Sequence, residues 1–138
     1  MKMIKGIAHV CISSTDLEAS ERFYLDGLGL TKCFDFIRND EIVGYYLKVS
    51  DRMFIEAFHR DEVEGGEKAP VRHFCLETDS IDTIRDHLIS RGYEVGEKKL
   101  GADHAYQAWV TDPSGVRIEF HEYTEKSTQL TGENCILN

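Results

Sequence analysis

The sequence predicts an α+β fold built from two βαβββ modules in tandem, and three observations carry that prediction. The pattern His-x-Cys near the start of a segment and Ile-Glu near its end occurs twice, at His9/Glu56 and His73/Glu119. The separations are 56 − 9 = 47 and 119 − 73 = 46 residues. The stretch IAHVCISSTDLEASERFYLDGLGL aligns with VRHFCLETDSIDTIRDHLISRGYEV, each reading strand, cap, helix, glycine. Three short extended segments follow each helix. A repeat that cannot close its own core packs on its twin.

Taken in order, Lys5 to Ser13 is an extended, β-branched stretch, and Thr15-x-x-Glu18 reads as a capping box. The helix runs on through Phe23 and Tyr24 toward Gly27. Thr31 to Ile37, Ile42 to Val49 and Arg52 to Phe58 complete the first module. In the second, Val71 to Glu77 is the strand, and Asp79 or Ser80 the cap. Ile81, Ile84 and Leu88 recur at helical spacing up to a glycine stop at Gly92. The strands Tyr93 to Leu100, Ala105 to Thr111 and Val116 to Tyr123 follow. Asp112-Pro-Ser-Gly115 fits a type I turn with Gly115 left-handed, a three-residue hairpin loop with a bulge. Counting back from it sets Trp109 opposite Glu119 and Gln107 opposite His121. Residues 1–124 thus read as one domain of two repeats, 4–59 and 71–123. Arg60 to Pro70 is a charged, glycine-bearing linker, and 125–138 is a loosely ordered tail or one laid against another subunit.

Composition narrows the function. A 138-residue chain with 41% hydrophobic and 30% charged residues is long enough to bury a core without disulfide staples. Its four cysteines (Cys11, Cys33, Cys75, Cys135) are too scattered for a disulfide scaffold. The net charge of −9 argues against nucleic acid or an anionic membrane as partner. There is no run of about 18 apolar residues to span a bilayer and no signal-peptide pattern, so a cytoplasmic location is expected. The ending Cys-Ile-Leu-Asn has the outline of a prenylation box but lacks a usual last residue and an upstream basic patch.

Strand parity brings the doubled pattern to one surface. Val10 and Ile12, Phe74 and Leu76, Ile55 and Ala57, and Ile118 and Phe120 form apolar sets that face the helices. His9, His73, Glu56 and Glu119 then occupy the opposite, concave face. A carboxylate between apolar neighbours is costly to bury without a partner, and the arrangement recurs at the symmetry-related place. Two imidazoles and two carboxylates suit one divalent ion, Ni, Zn, Co, Mn or Fe, with two positions left for water or a bidentate substrate. Cys11 and Cys75 share that face and read as small packing residues rather than ligands, because a Cys2His2 site leaves both glutamates unexplained. Gln107, Trp109 and His121 line the pocket, His121 with the option of orienting a ligand. His59 and His87 fall on the wrong face or an exposed helix, and His104 has the wrong parity but reaches toward the rim from a loop.

These residues resemble the vicinal oxygen chelate superfamily of glyoxalase I, bleomycin-resistance proteins and extradiol dioxygenases. The resemblance covers residues 4 to 123 and rests on the paired modules, FYLDGLGL and, most specifically, DPSGVRIEF. It implies a half-open barrel formed by the two modules, and it matches His9, Glu56, His73 and Glu119 to the four metal ligands of glyoxalase I. It further implies a homodimer and a metal-dependent lyase or isomerase acting on a small molecule through a metal-chelated enediolate, with Glu56 or Glu119 as the base. Epimerisation of a carbohydrate or acyl-thioester is the alternative on the same scaffold. A ring-cleaving iron dioxygenase and a metal-dependent antibiotic-resistance protein are the others. The positions at which the glutathione-using enzyme carries arginine and asparagine hold Ser13 and Arg60 here, so the resemblance does not imply glutathione as the substrate.

Overall fold

A computed structural model describes residues 3–64 and 69–137, and the chain divides into two compact units, one within residues 1–64 and one within 65–138. The glycine pair expected in the linker lies outside the described residues. The first module comprises β1 (His9–Ser14), α1 (Leu17–Arg22), β2 (Thr31–Arg38), β3 (Glu41–Ser50) and β4 (Met53–His59). Its sheet has the order β1-β4-β3-β2, with β1 parallel to β4 and the remaining pairs antiparallel. The first and last strands of the module are therefore neighbours.

One face of this sheet is apolar and buried, as strand parity predicts. Ile12, Tyr45, Leu47, Ile55 and Ala57 pack with Phe23 and Tyr24 from the helical segment. Each large side chain taken out of water contributes about 1.5–3 kcal/mol. The Tyr45 hydroxyl donates to the Leu17 carbonyl at 3.2 Å, so the one polar atom of that side chain is satisfied.

The helix does not start on the expected capping box. Asp16 is the N-cap, its Oδ1 accepting from the Ala19 amide at 3.0 Å, and its own amide donates to Ser14 Oγ at 3.2 Å. Ser14 is buried and hydrogen-bonded to Ser20 Oγ at 2.7 Å. That buried hydroxyl ties down the Asp16 amide, and the start moves one residue along. Glu18, freed from capping, pairs with Arg22 one turn later at 3.0 Å. Over Phe23–Gly27 the backbone widens into π-type hydrogen bonding, which delays the end of the helix. The left-handed glycine that follows is Gly29 (φ 71°), two residues past the Gly27 toward which the sequence runs the helix.

The second module repeats the order with β5 (Phe74–Glu77), α2 (Ile81–Ser90), β6 (Lys99–Leu100), β7 (Tyr106–Thr111) and β8 (Arg117–Glu122), followed by the short α3 (Thr128–Thr131). Its sheet runs β5-β8-β7-β6, again with the first and last strands parallel. Ser80 is the cap of α2, accepting from the Thr83 amide at 3.2 Å, and Gly92 (φ 89°) ends the helix as expected. Ile81 and Leu88 are buried, as are Ala108, Val110, Ile118 and Phe120 from the sheet.

Three expectations for the strands need correction. Pairing begins at His9 rather than Lys5, because the partner strand β4 begins only at Met53, and the ladder closes with the Phe54 amide donating to the Ala8 carbonyl at 2.9 Å. Likewise β5 begins at Phe74, so His73 sits just before its strand. The segment Tyr93 to Leu100 forms no continuous strand, only the Val95–Val110 bridge and β6. Between them the Gly96 carbonyl is taken by Arg85 Nε at 2.7 Å, and Lys98 reaches Glu122 at 2.9 Å and Asp82 at 3.1 Å, so local side chains compete with the ladder.

The Asp112–Gly115 turn forms as predicted. The Gly115 amide donates to the Asp112 carbonyl at 3.1 Å, and Gly115 is left-handed at φ 95°. Buried Asp112 fastens the loop by accepting from the Ser114 and Val116 amides at 2.9 and 2.8 Å. The tail is less loose at its start than expected. Buried Ser127 accepts from the Thr124 amide at 2.8 Å, and Gln129 Nε2 donates to Asp103 Oδ2 at 2.6 Å. Among the described residues, no helix is long and apolar enough to cross a membrane.

Candidate metal centre

Each module brings its histidine and its glutamate together. Parallel pairing sets Cys11 beside Glu56 and Cys75 beside Glu119, with the histidine one step back on the same face. His9 Nε2 lies 3.9 Å from Glu56 Oε1, and His73 Nε2 lies 3.6 Å from Glu119 Oε1. The Glu56 and Glu119 side chains retain 21% and 12% of their exposure, which places both carboxylates partly out of water yet reachable by an ion.

The two pairs differ in what surrounds them. In the first module Tyr46 stands opposite Glu56, and its phenol is 3.0 Å from His9 Nδ1. Phe34, Phe36, Phe54 and Phe58 join Tyr46 in a chain of ring contacts on that face, among them the stacked pairs Phe34–Tyr46 at 5.0 Å and Phe36–Phe58 at 4.6 Å. In the second module Trp109 stands opposite Glu119 and Gln107 opposite His121, the register counted from the turn. Trp109 takes the edge of His73 at 4.7 Å and carries the Arg117 guanidinium over its ring at 4.5 Å. His121 Nε2 reaches Glu119 Oε1 at 3.3 Å.

The cysteines are not the packing residues expected of them. Cys11 and Cys75 are both exposed, each next to its module's glutamate. Partial burial, then the hydrogen bond and charge of Glu56, raise the Cys11 thiol above its ordinary value, against a lowering by Arg60. For Cys75, burial and the charge and hydrogen bond of Glu119, with smaller contributions from Asp103 and Glu77, push the thiol up to about 12. Both are protonated thiols near neutral pH in the absence of a cation. His59 is exposed and pairs with Asp61 at 3.2 Å, and His87 is exposed on α2, so neither joins the set. His104 is held in a left-handed conformation (φ 62°) at the loop before β7.

Tyr46 and the phenylalanines around it were not picked out by sequence reasoning. A register shift between Lys48 and Ser50 hid them: plain counting from the Ser50–Met53 pair sets Leu47 opposite Glu56, and the irregularity brings Tyr46 there instead.

The model of the Glyoxalase/Bleomycin resistance protein/Dioxygenase superfamily matches residues 6–120. The chain belongs to this superfamily. Solved structures agree on the fold of this glyoxalase-superfamily chain. A glyoxalase family protein from Enterococcus faecalis is 23% identical with a TM-score of 0.75, over 88% of this chain and 100% of that one. A lactoylglutathione lyase from Agrobacterium tumefaciens is 20% identical with a TM-score of 0.68, over 87% and 95%. TnmS3, an antibiotic binding protein from Streptomyces sp. CB03234, is 19% identical with a TM-score of 0.69, over 90% and 100%. No curated protein matches the chain. At these identities the likeness establishes the fold, which in this superfamily serves enzymes and binding proteins alike.

Proposed function

We propose that the chain is a divalent-metal-dependent lyase or isomerase of glyoxalase I type, using His9, Glu56, His73 and Glu119 as ligands. The observation that carries this reading is the recurrence of a histidine and a glutamate side by side in both modules, 3.9 and 3.6 Å apart. The donors fit the group. Two imidazole nitrogens and two carboxylate oxygens, partly withdrawn from water, suit a borderline or hard dication such as Ni, Zn, Co, Mn or Fe(II). Such an ion, when bound, supplies Lewis-acid polarisation of a substrate carbonyl.

The residues of the chain do the rest. Glu56 or Glu119 takes a proton from the carbon beside the carbonyl, leaving an enediolate, and the same or the opposite carboxylate returns it to the neighbouring carbon. Trp109 and His121 wall the second module's face. The active form is a cytoplasmic homodimer, and residues 1–124 act as one functional domain. Epimerisation of a polar, hydroxylated substrate is the second reading, favoured by Gln107, whose carboxamide stands opposite His121 and offers both donors and an acceptor.

The test is anaerobic turnover of α-hydroxy carbonyl compounds by protein loaded with Ni, Co, Mn or Zn, with and without glutathione. Activity should persist without O2 and fall at least about 100-fold in His9→Ala and in His73→Ala, as loss of a direct ligand exceeds loss of an outer partner. A His9→Ala variant of full activity overturns the four-ligand reading. Strict need for Fe(II) with consumption of O2 assigns ring cleavage instead.

A further inference from the structure

The repeat is broken two residues past the glutamate on the metal-side face, and the break adds a donor. Two residues past its glutamate the first module has Phe58, while the second has His121. The Cys75 sulfur, a Glu119 oxygen and a His121 nitrogen all lie within 4.8 Å of one another. We propose that the second module by itself binds a thiophilic dication, Zn2+ or Cd2+, through Cys75 Sγ, the Glu119 carboxylate and His121 Nε2. This goes beyond the four-ligand reading: Glu119 is common to both, whereas Cys75 and His121 belong to this set alone.

The geometry is close to what such an ion requires. With metal–nitrogen and metal–oxygen bonds of about 2.0–2.1 Å, neighbouring donors in a tetrahedral shell stand about 3.3 Å apart. His121 Nε2 and Glu119 Oε1 are separated by 3.3 Å without any ion to draw them together. Cys75 and Glu119 are direct partners on the parallel strands β5 and β8, so the backbone ladder fixes their spacing, and Glu119 and His121 follow one another on one face of β8. All three donors stand on one rigid sheet. Sulfur, nitrogen and carboxylate oxygen together are a zinc-type set, and three protein ligands leave a fourth position open. Binding displaces the thiol proton of Cys75 to solvent, and His121 engages as the neutral ring with its proton on Nδ1. The first module lacks the counterpart of His121, since Phe58 stands at that place.

The experiment is a Cd2+ titration of the metal-free full-length protein, read at the ultraviolet thiolate-to-metal charge-transfer band. Wild type should develop the band at about one equivalent, as three clustered donors for one ion require. The band should persist in Cys11→Ser and in His9→Ala and disappear in Cys75→Ser, whose folding is checked by thermal unfolding. His121→Asn should weaken the apparent affinity at least about 100-fold, more than loss of an outer-shell partner costs. A wild type without the band, a band that survives Cys75→Ser, or a band lost in His9→Ala overturns the proposal. Failure of the catalytic reading is seen separately: anaerobic turnover absent with the band intact sinks that reading alone, and turnover without the band sinks this one alone.

Discussion

His9 and His73 hold equivalent places, but their outer nitrogens meet different neighbours. For Nε2 of His9 to present a lone pair beside Glu56, Nδ1 must carry the ring proton, and the Tyr46 phenol oxygen 3.0 Å away is the acceptor for it. Trp109, at the matching place in the second module, has an indole N–H that only donates, so His73 gains an edge contact there and no acceptor. Tyr46→Phe should therefore lower the affinity for Zn or Ni about ten-fold while the fold is kept, in line with outer-shell effects at metal sites. Competition titration against a chelating dye measures it; unchanged affinity would mean that the phenol does not orient the ring. The four proposed ligands were legible because each is a histidine or glutamate that recurs at the matching place of the repeat. Tyr46 was not, because Tyr45 and Tyr46 are identical in type, and only the hairpin register tells which one is core and which faces His9.

At the scale of the element, local hydrogen bonding decided what periodicity could not. The apolar spacing of α1 and α2 was readable, and so was the Asp112–Gly115 turn, whose residues each have a conformational reason to be there. The start of α1 was not, since Thr15 and Asp16 are both good caps and the choice rests on Ser14 Oγ holding the Asp16 amide. Asp16→Ala should cost about 1 kcal/mol and Thr15→Ala less. Urea denaturation of the two variants reads the difference; equal losses would mean that the capping box forms in solution. The failure of Tyr93–Leu100 as a continuous strand has a similar origin. A glycine and four charged side chains (Glu94, Glu97, Lys98, Lys99) sit where β2, its counterpart, has an eight-residue run. Extended propensity without a full ladder partner does not make a strand.

For the whole molecule, the repeat predicted the content of each module and the strand order did not follow from it. Parity alone separates two faces, but the adjacency of first and last strands is a long-range fact that no local pattern states. Apolar side chains stay exposed on the chain taken singly, including Met3, Ile4 and Ile7 before β1 and Ile37 and Ile42 flanking the β2–β3 hairpin turn. The proposed homodimer should sediment at twice the chain mass of 15.8 kDa, and a single-chain mass at micromolar concentration would overturn it.

The parallel pairing of β1 with β4 and of β5 with β8 also orders events in time. Each pair joins the two ends of its module, so its contacts are the most distant in sequence and carry the largest loop-closure cost. A histidine from the opening strand and a glutamate from the closing strand come within reach only when that last zipper shuts. The proposed ligand pairs are therefore a late product of folding, and a nascent chain stopped short of β4 or β8 has that module's histidine without the glutamate it pairs with.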